Sequence, residues 1–221
     1  VTGGTGFIGS DVIDLLLDHN YKIILLKSHF SNTSRIYKHL SKITILDRDT
    51  NDLEDIFLKY KPFAIIHLAT LYKKSDEDAD FKEMYKENVE FPKKLVDMAI
   101  KHKTNRFLNT STFFQYSTEP LPISEDNDFS PFNYYAKTKI IFSDYLKELA
   151  NKINTFDLIL YSPFGPRDNE KLVTYIIKKA LMGDEIILSE GFQRIDLTYV
   201  KDIAIAYLKC LNIFDPNIKG Y

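Results

Sequence analysis

The chain has 221 residues, 44% of them hydrophobic and 27% charged, enough to bury one substantial core. Its 29 basic and 31 acidic side chains leave a formal charge of −2, which argues against a nucleic-acid binder driven by a basic face, and its eight glycines and eight prolines exclude a collagenous or disordered chain. No run approaches the roughly 18 apolar residues of a membrane span, and the single cysteine, Cys210, excludes an internal disulfide and a cysteine-based zinc site, so a reducing, cytoplasmic compartment is expected.

Residue 1 is Val, and a glycine-rich run from Thr2 to Gly9 follows at once. Such a loop normally follows a buried strand of about five residues. Most of that strand is missing, and the chain reads as a trimmed piece of a longer protein. Ile8, Val12, Leu15 and Leu16 share one stripe and predict a helix from Ile8 to Asp18. Tyr21 to Leu26 is an apolar run, the mark of a strand covered on both faces. Ile43 to Leu46 is a third short strand. A helix over Asp52 to Tyr60 is followed by Pro62, and Phe63 to Leu68 is another buried strand. Phe81 to Lys103 reads as one long helix containing Pro92. Arg106 to Asn109 is a strand. Residues 119–133, rich in Pro, Asp, Asn and Ser, form a loop. Tyr134 to Asn151 is a helix and Thr155 to Tyr161 a strand.

Lys171 to Met182 then predicts a helix, and Ile186 to Leu188 a short strand. Asp202 is expected to cap a helix that carries Cys210 as packing. The chain breaks off at 217–221 as a new segment begins. Strands alternating with helices predict an α/β fold, a Rossmann-type doubly wound parallel sheet with a small C-terminal part. Two parts are expected, residues 1–161 and the segments of 162–221. Five histidines show no metal-ligand spacing, and no metal is expected. His67 reads as a core histidine.

Glycines recur at Gly3, Gly6 and Gly9 between a strand remnant and a helix. In that context the first allows a tight turn, the second lets backbone N–H groups touch a pyrophosphate, and the third lets helix and strand pack closely. The run Thr2 to Gly9 resembles the extended short-chain dehydrogenase/reductases, above all the nucleotide-sugar epimerases, dehydratases and reductases. Further matches follow in order: His67-Leu68-Ala69-Thr70, Asn88, Thr110, Tyr135-Ala136-Lys137-Thr138-Lys139, Ser162 to Pro166, and Asp196 to Asp202. The resemblance spans essentially the whole chain. It implies a bound NADP or NAD held by Gly3, Gly6, Phe7, Ile8, Gly9, Leu68, Ala69, Thr70, Asn88, Tyr135, Lys139 and Ser162. It also implies a homodimer formed through the helices after the fourth and fifth strands.

Tyr135 and Lys139 lie four residues apart on a predicted helix and share a face. A free tyrosine has a pKa of about 10, and a nearby ammonium is expected to lower it. The tuned phenol could take a proton from a sugar hydroxyl or give one to a ketone while a hydride moves. By resemblance Thr110 is the third member, hydrogen-bonding the reacting oxygen. It stands four residues before Phe114, at the aromatic of the family's Val-Tyr-Gly turn. Here that turn reads Phe113-Phe114-Gln115, and neighbouring Ser111 and Thr112 blur the register; both are candidate substrate contacts. The family's dehydratases carry Asp-Glu after the threonine. Ser111-Thr112 stands there instead, which disfavours dehydration.

Cofactor choice turns on the end of the second strand, where an acid would bind the adenosine ribose of NAD. This chain has Lys27-Ser28, with Arg35 further on, which favours the 2′-phosphate of NADP. Asp47 resembles the acid that holds the adenine amino group, with Asp49 as competitor. Arg167 and Arg194 are candidates to grip the substrate diphosphate. The run from Leu26 to Ile36 is similar to reductases of 4-keto nucleotide sugars of the abequose and paratose synthase type. A nucleotide-sugar 4-epimerase, a reductase of another carbonyl, and a non-catalytic dinucleotide sensor are the other readings.

Overall fold

A computed structural model of the protein describes residues 1–74, 77–117 and 122–213. Residues 119–121 of the predicted loop and the last segment, 214–221, lie outside the described residues. The paired apolar positions of the strands explain the architecture. In β1 (Ile24–Lys27), β3 (Ala64–His67) and β4 (Arg106–Thr112), successive apolar side chains point to opposite faces. Leu25, Ile66 and Leu108 enter one core cluster. Leu26, Ile65 and Phe107 enter the other. A strand with two apolar faces needs helices on both sides.

β1 pairs in parallel with β2 (Thr44–Asp47). β3 pairs with β4, and β4 with β5 (Asn154–Leu160), also in parallel. Thr2 joins the two groups by parallel bridges to Leu26 and His67. The order is therefore β2, β1, Thr2, β3, β4, β5, a doubly wound sheet whose direction of growth reverses between Thr2 and β3. Helices α1 (Phe7–Asp18) and α7 (Val200–Asn212) cover one face through Val12, Ile13, Ile203 and Tyr207. Helices α2 (Leu53–Tyr60), α4 (Phe91–Lys101) and α5 (Tyr134–Glu148) cover the other through Phe57, Val96 and Phe142. The C-terminal helix α7 thus belongs to the sheet's own core.

Three local expectations are corrected. The long helix over 81–103 is divided into α3 (Asp78–Tyr85), a π-helical turn (Lys86–Glu90) and α4. Pro92 has no N–H to give the carbonyl four residues back, and the widened turn accommodates that loss. Ile186 to Leu188 forms no strand and is exposed, Ile187 by 74%. The short pairing is instead β6 (Pro163–Phe164) with β7 (Thr198–Tyr199), because the 198–199 segment is the one that lies beside β6. Between them α6 (Leu172–Met182) packs with no fully buried residue. Asp202 lies inside the first turn of α7, and Tyr199 holds the cap position without a side-chain bond.

Candidate active site

The carboxyl ends of the strands and the glycine run line a cavity of about 1030 Å³ at the point where the sheet order reverses. Gly3 turns at φ +67°, and a Cβ there would stand 2.4 Å from the Ala69 nitrogen. A Cβ on Gly9 would stand 2.2 Å from the Gly3 carbonyl oxygen. At Gly6 the nearest atom to a Cβ is the Gly3 oxygen at 3.2 Å, so its free side is the cavity. Gly6 caps α1 with no side-chain hydrogen bond. The first-turn N–H groups at Phe7, Ile8 and Gly9 have no intrahelical partner, and all three residues line the cavity. Unpaired donors at the positive end of a helix dipole, approached over a glycine, fit the pyrophosphate of a dinucleotide.

Across the cavity stands the N-terminal half of α5. Its cap is Asn133, whose side chain accepts from the Ala136 N–H at 2.9 Å. The next turns present Tyr135 and Lys139, both lining the cavity. The Lys139 ammonium lies 5.7 Å from the centre of the Tyr135 ring and donates to the Thr110 carbonyl at 3.0 Å. The expected lowering of the phenol pKa is not found. Burial pushes Tyr135 up to about 12, against a weaker opposing hydrogen bond with Thr70. Burial also brings Lys139 down to about 8. Desolvation outweighs the ammonium because Lys139 is turned to a carbonyl rather than to the phenol oxygen.

The three hydroxyls at the end of β4 differ in what they hold. Thr110 donates to the His67 carbonyl at 2.8 Å and meets the Tyr207 hydroxyl at 2.5 Å. Its proton is therefore engaged by β3 and one lone pair by α7. Ser111 donates to Gln115 at 2.8 Å. Thr112 accepts from the Phe114 N–H at 3.3 Å, and no acceptor among the described residues takes its proton. All three line the cavity. The 3-10 turn Phe113–Gln115 ends at Tyr116, which is buried. The buried aromatic after the turn is thus Tyr116, not Phe114, and four residues before it stands Thr112.

Leu68, Ala69, Thr70, Lys27, Ser28 and Ser162 also line the cavity. Ser162 does so at φ 25°, a strained backbone for a non-glycine residue. Asn88 does not reach it. Buried in the π turn, it accepts from the Leu71 N–H at 2.7 Å and donates to the Leu71 carbonyl at 2.8 Å and to Thr138 at 3.1 Å. It fixes the wall behind Thr70. Lys27 lines the cavity with its ammonium folded onto the Ser28 and His29 carbonyls. Asp47 is turned to His29 at 2.8 Å, and its competitor Asp49 lines the cavity beside Arg48.

Two arginines are used elsewhere. Arg35 donates to the Arg167 carbonyl and to Asn169. Arg167 pairs with Asp11 at 2.8 Å and Asp14 at 3.0 Å on α1. Together they tie the 165–169 loop to α1 and to the Ser34–His39 turn. Arg194 is exposed, while its neighbours Ile195 and Leu197 line the cavity. Sequence reasoning missed Tyr72, whose ring meets Tyr135 edge-on at 5.1 Å. It also missed Arg48, which lies over the Phe91 ring at 4.7 Å and pairs with Glu87. No spacing rule connects Tyr72 with residue 135; for Arg48, adjacency to Asp47 was the available signal.

A glycine loop at the sheet's reversal point, facing a tyrosine and a buried lysine across one cavity, marks a dinucleotide-binding enzyme. The sequence matches the NAD dependent epimerase/dehydratase family over residues 1–219, and the chain belongs to that family. It is an NAD-dependent enzyme of the nucleotide-sugar epimerase/dehydratase type, and its cofactor is a nicotinamide dinucleotide. CDP-abequose synthase of Salmonella muenchen is 28% identical over 213 residues, 96% of this chain and 69% of that protein. A putative UDP-glucose 4-epimerase of Methanocaldococcus jannaschii is 26% identical over 228 residues, 96% of this chain and 72% of that protein. The UDP-N-acetylglucosamine 4-epimerase from Methanobrevibacter ruminantium, solved with UDP-N-acetylmuramic acid, superposes with a TM-score of 0.86. It is 26% identical and covers 97% of this chain and 72% of its own. Among the described residues no helix is long and apolar enough to cross a membrane.

Proposed function

We propose that the protein reduces the C4 ketone of a nucleotide-linked sugar. A reduced nicotinamide dinucleotide, when bound, would supply the hydride. The C4 carbon receives it, the C=O bond becomes a C–O single bond, and Tyr135 gives the oxygen its proton. Lys139 supplies positive charge beside the phenol and orients the dinucleotide. Thr112, rather than Thr110, donates the hydrogen bond to the reacting oxygen. Gly3, Gly6, Phe7, Ile8 and Gly9 hold the pyrophosphate. Leu68, Ala69, Thr70 and Ser162 flank the cofactor, and Asn88 acts on it through Thr70.

The observation that carries this reading is Tyr135 standing beside Lys139 on the cavity wall across from the glycine loop, with Lys27 and no acid at the end of β1. Burial raises the phenol pKa, which favours the proton-donating form that a ketone reduction uses. Dehydration is disfavoured with either threonine, since neither Ser111-Thr112 nor Phe113-Phe114 offers a carboxyl pair. NADPH is the preferred cofactor in this reading. Its support is Lys27, Ser28 and Ser31 on the cavity wall with no acid at the end of β1; Arg35 no longer contributes, being tied to 167–169. The second reading, a 4-epimerase with tightly held NAD, is favoured by the named epimerase relatives. Residues 1–161 then act as the dinucleotide unit, later segments close on the substrate, and α4 and α5 supply a homodimer contact.

Thermal shift tests the reading. NADPH should raise the midpoint more than NADH, and a nucleoside-diphosphate sugar should raise it further. Stabilisation by neither class of ligand would contradict it, and NAD retained through purification would favour the epimerase.

A further inference from the structure

The α5-facing side of β4 and β5 carries a polar seam where an apolar one would be expected. β5 residue Phe156 enters the core cluster under α1 and α7, so Asp157 points to the opposite face. There the Asp157 carboxylate accepts from Asn109 Nδ2 at 2.9 Å and from the Ser143 hydroxyl. Asn109 is its direct register partner on β4. Ser143 lies four residues after Lys139 on the same face of α5. Asn109, Ser143 and Lys139 are all buried. The single oxygen of the Asn109 amide, Oδ1, has no partner among the described residues, so the seam is not optimised for hydrogen bonding alone.

Burying a carboxylate is costly. Desolvation raises the Asp157 pKa above the usual carboxylate range. A group whose folded pKa is raised contributes stability below its unfolded value and loses it as pH rises through the folded one. The ionised form of Asp157 therefore opposes folding as pH rises, and a second reason for its presence lies nearby. Lys139 is fully buried, and Asp157 is the group whose charge favours its ammonium form. The remaining groups facing the seam do not replace that charge. His67 of β3 is neutral, its pKa held well below the usual value by burial and by Lys139 itself. The Tyr116 phenol is raised and protonated, as is that of Tyr207 of α7 on the opposite face of the sheet. Lys147 of α5 is a second cation that acts on Asp157.

We propose that Asp157 is a positioning residue for the reaction above: from behind α5 its carboxylate keeps the buried Lys139 side chain charged and aimed at the cavity through the Thr110 carbonyl. This rests on the hydride-transfer reading of the site. Asp157→Asn keeps the shape and removes the charge.

The test is an NMR titration of the Lys139 side chain, identified by its loss in Lys139→Met, with the pH profile of turnover beside it. In Asp157→Asn the Lys139 midpoint should fall by about one pH unit, and the alkaline limb of kcat should fall with it. Thermal stability at pH 7.5 should equal or exceed that of the unaltered protein. Ser143→Ala, which keeps the carboxylate, should leave the midpoint in place. An unmoved Lys139 midpoint in folded Asp157→Asn would overturn the proposal. So would a carbonyl-carbon shift showing Asp157 protonated at pH 7.5 in the unaltered protein, a measurement that needs no variant. Absence of any hydride transfer by the unaltered protein would instead remove the parent reading, leaving the Lys139 shift to stand or fall alone.

Discussion

Burial pushes the Tyr135 phenol up to about 12, which favours its protonated form. The i, i+4 spacing of Tyr135 and Lys139 was legible because it depends only on helix geometry. The sign of the pKa shift was not, because it depends on how deeply the phenol is buried and where the ammonium turns. The choice among the β4 hydroxyls was likewise hidden. Thr110 is engaged by Tyr207, 97 residues away in sequence, and no local pattern announces that contact. The assignment separates cleanly by substitution. Thr112→Val should lower kcat by on the order of 10²- to 10³-fold, the usual loss for one donor to a reacting oxygen. Thr110→Val should affect stability more than turnover, since it breaks buried bonds to His67 and Tyr207. A larger kcat loss at Thr110 than at Thr112, in folded proteins, would return the role to Thr110.

At the scale of elements, the start of α1 shows how three glycines with one spacing do three different jobs. Gly9 meets the Gly3 carbonyl, and Gly3 meets the strand end at Leu68 and Ala69; Gly6 meets the Gly3 oxygen only at the looser 3.2 Å and otherwise faces the cavity. Gly9→Ala should therefore destabilise the fold by about 1–3 kcal/mol through overpacking, read as a fall in the denaturation midpoint. Gly6→Ala should leave the midpoint nearly unchanged while weakening dinucleotide binding at least tenfold in calorimetry. Equal binding by Gly6→Ala and the unaltered protein would mean that the pyrophosphate lies elsewhere. The helices and parallel strands were legible from apolar periodicity, within a few residues at their ends. The π turn at 86–90 was not, because hydrophobic spacing barely changes across one widened turn. The apolar Ile186 to Leu188 looked like a strand because propensity does not reveal whether a partner strand is available. The pairing of 163–164 with 198–199 was missed for the same reason.

For the whole molecule, the alternation of strands and helices was enough to reach the doubly wound sheet, because connections between parallel strands permit few arrangements. The cavity at its reversal point follows from that order. What the sequence left open is set by contacts between distant segments: Arg167 clamps the 165–169 loop to α1 and Arg35 clamps it to the Ser34–His39 turn instead of facing a phosphate, and Asp157 sits beneath α5 against Ser143. The central claim is that Tyr135 delivers the proton while the glycine loop holds the hydride donor. The most direct measurement is single-turnover hydride transfer from NADPH to a 4-keto nucleotide sugar by Tyr135→Phe, with cofactor affinity measured in parallel. The account predicts a rate lower by 10²- to 10⁴-fold with cofactor affinity within about threefold of the unaltered protein. A rate within tenfold of the unaltered protein at undiminished affinity would contradict it.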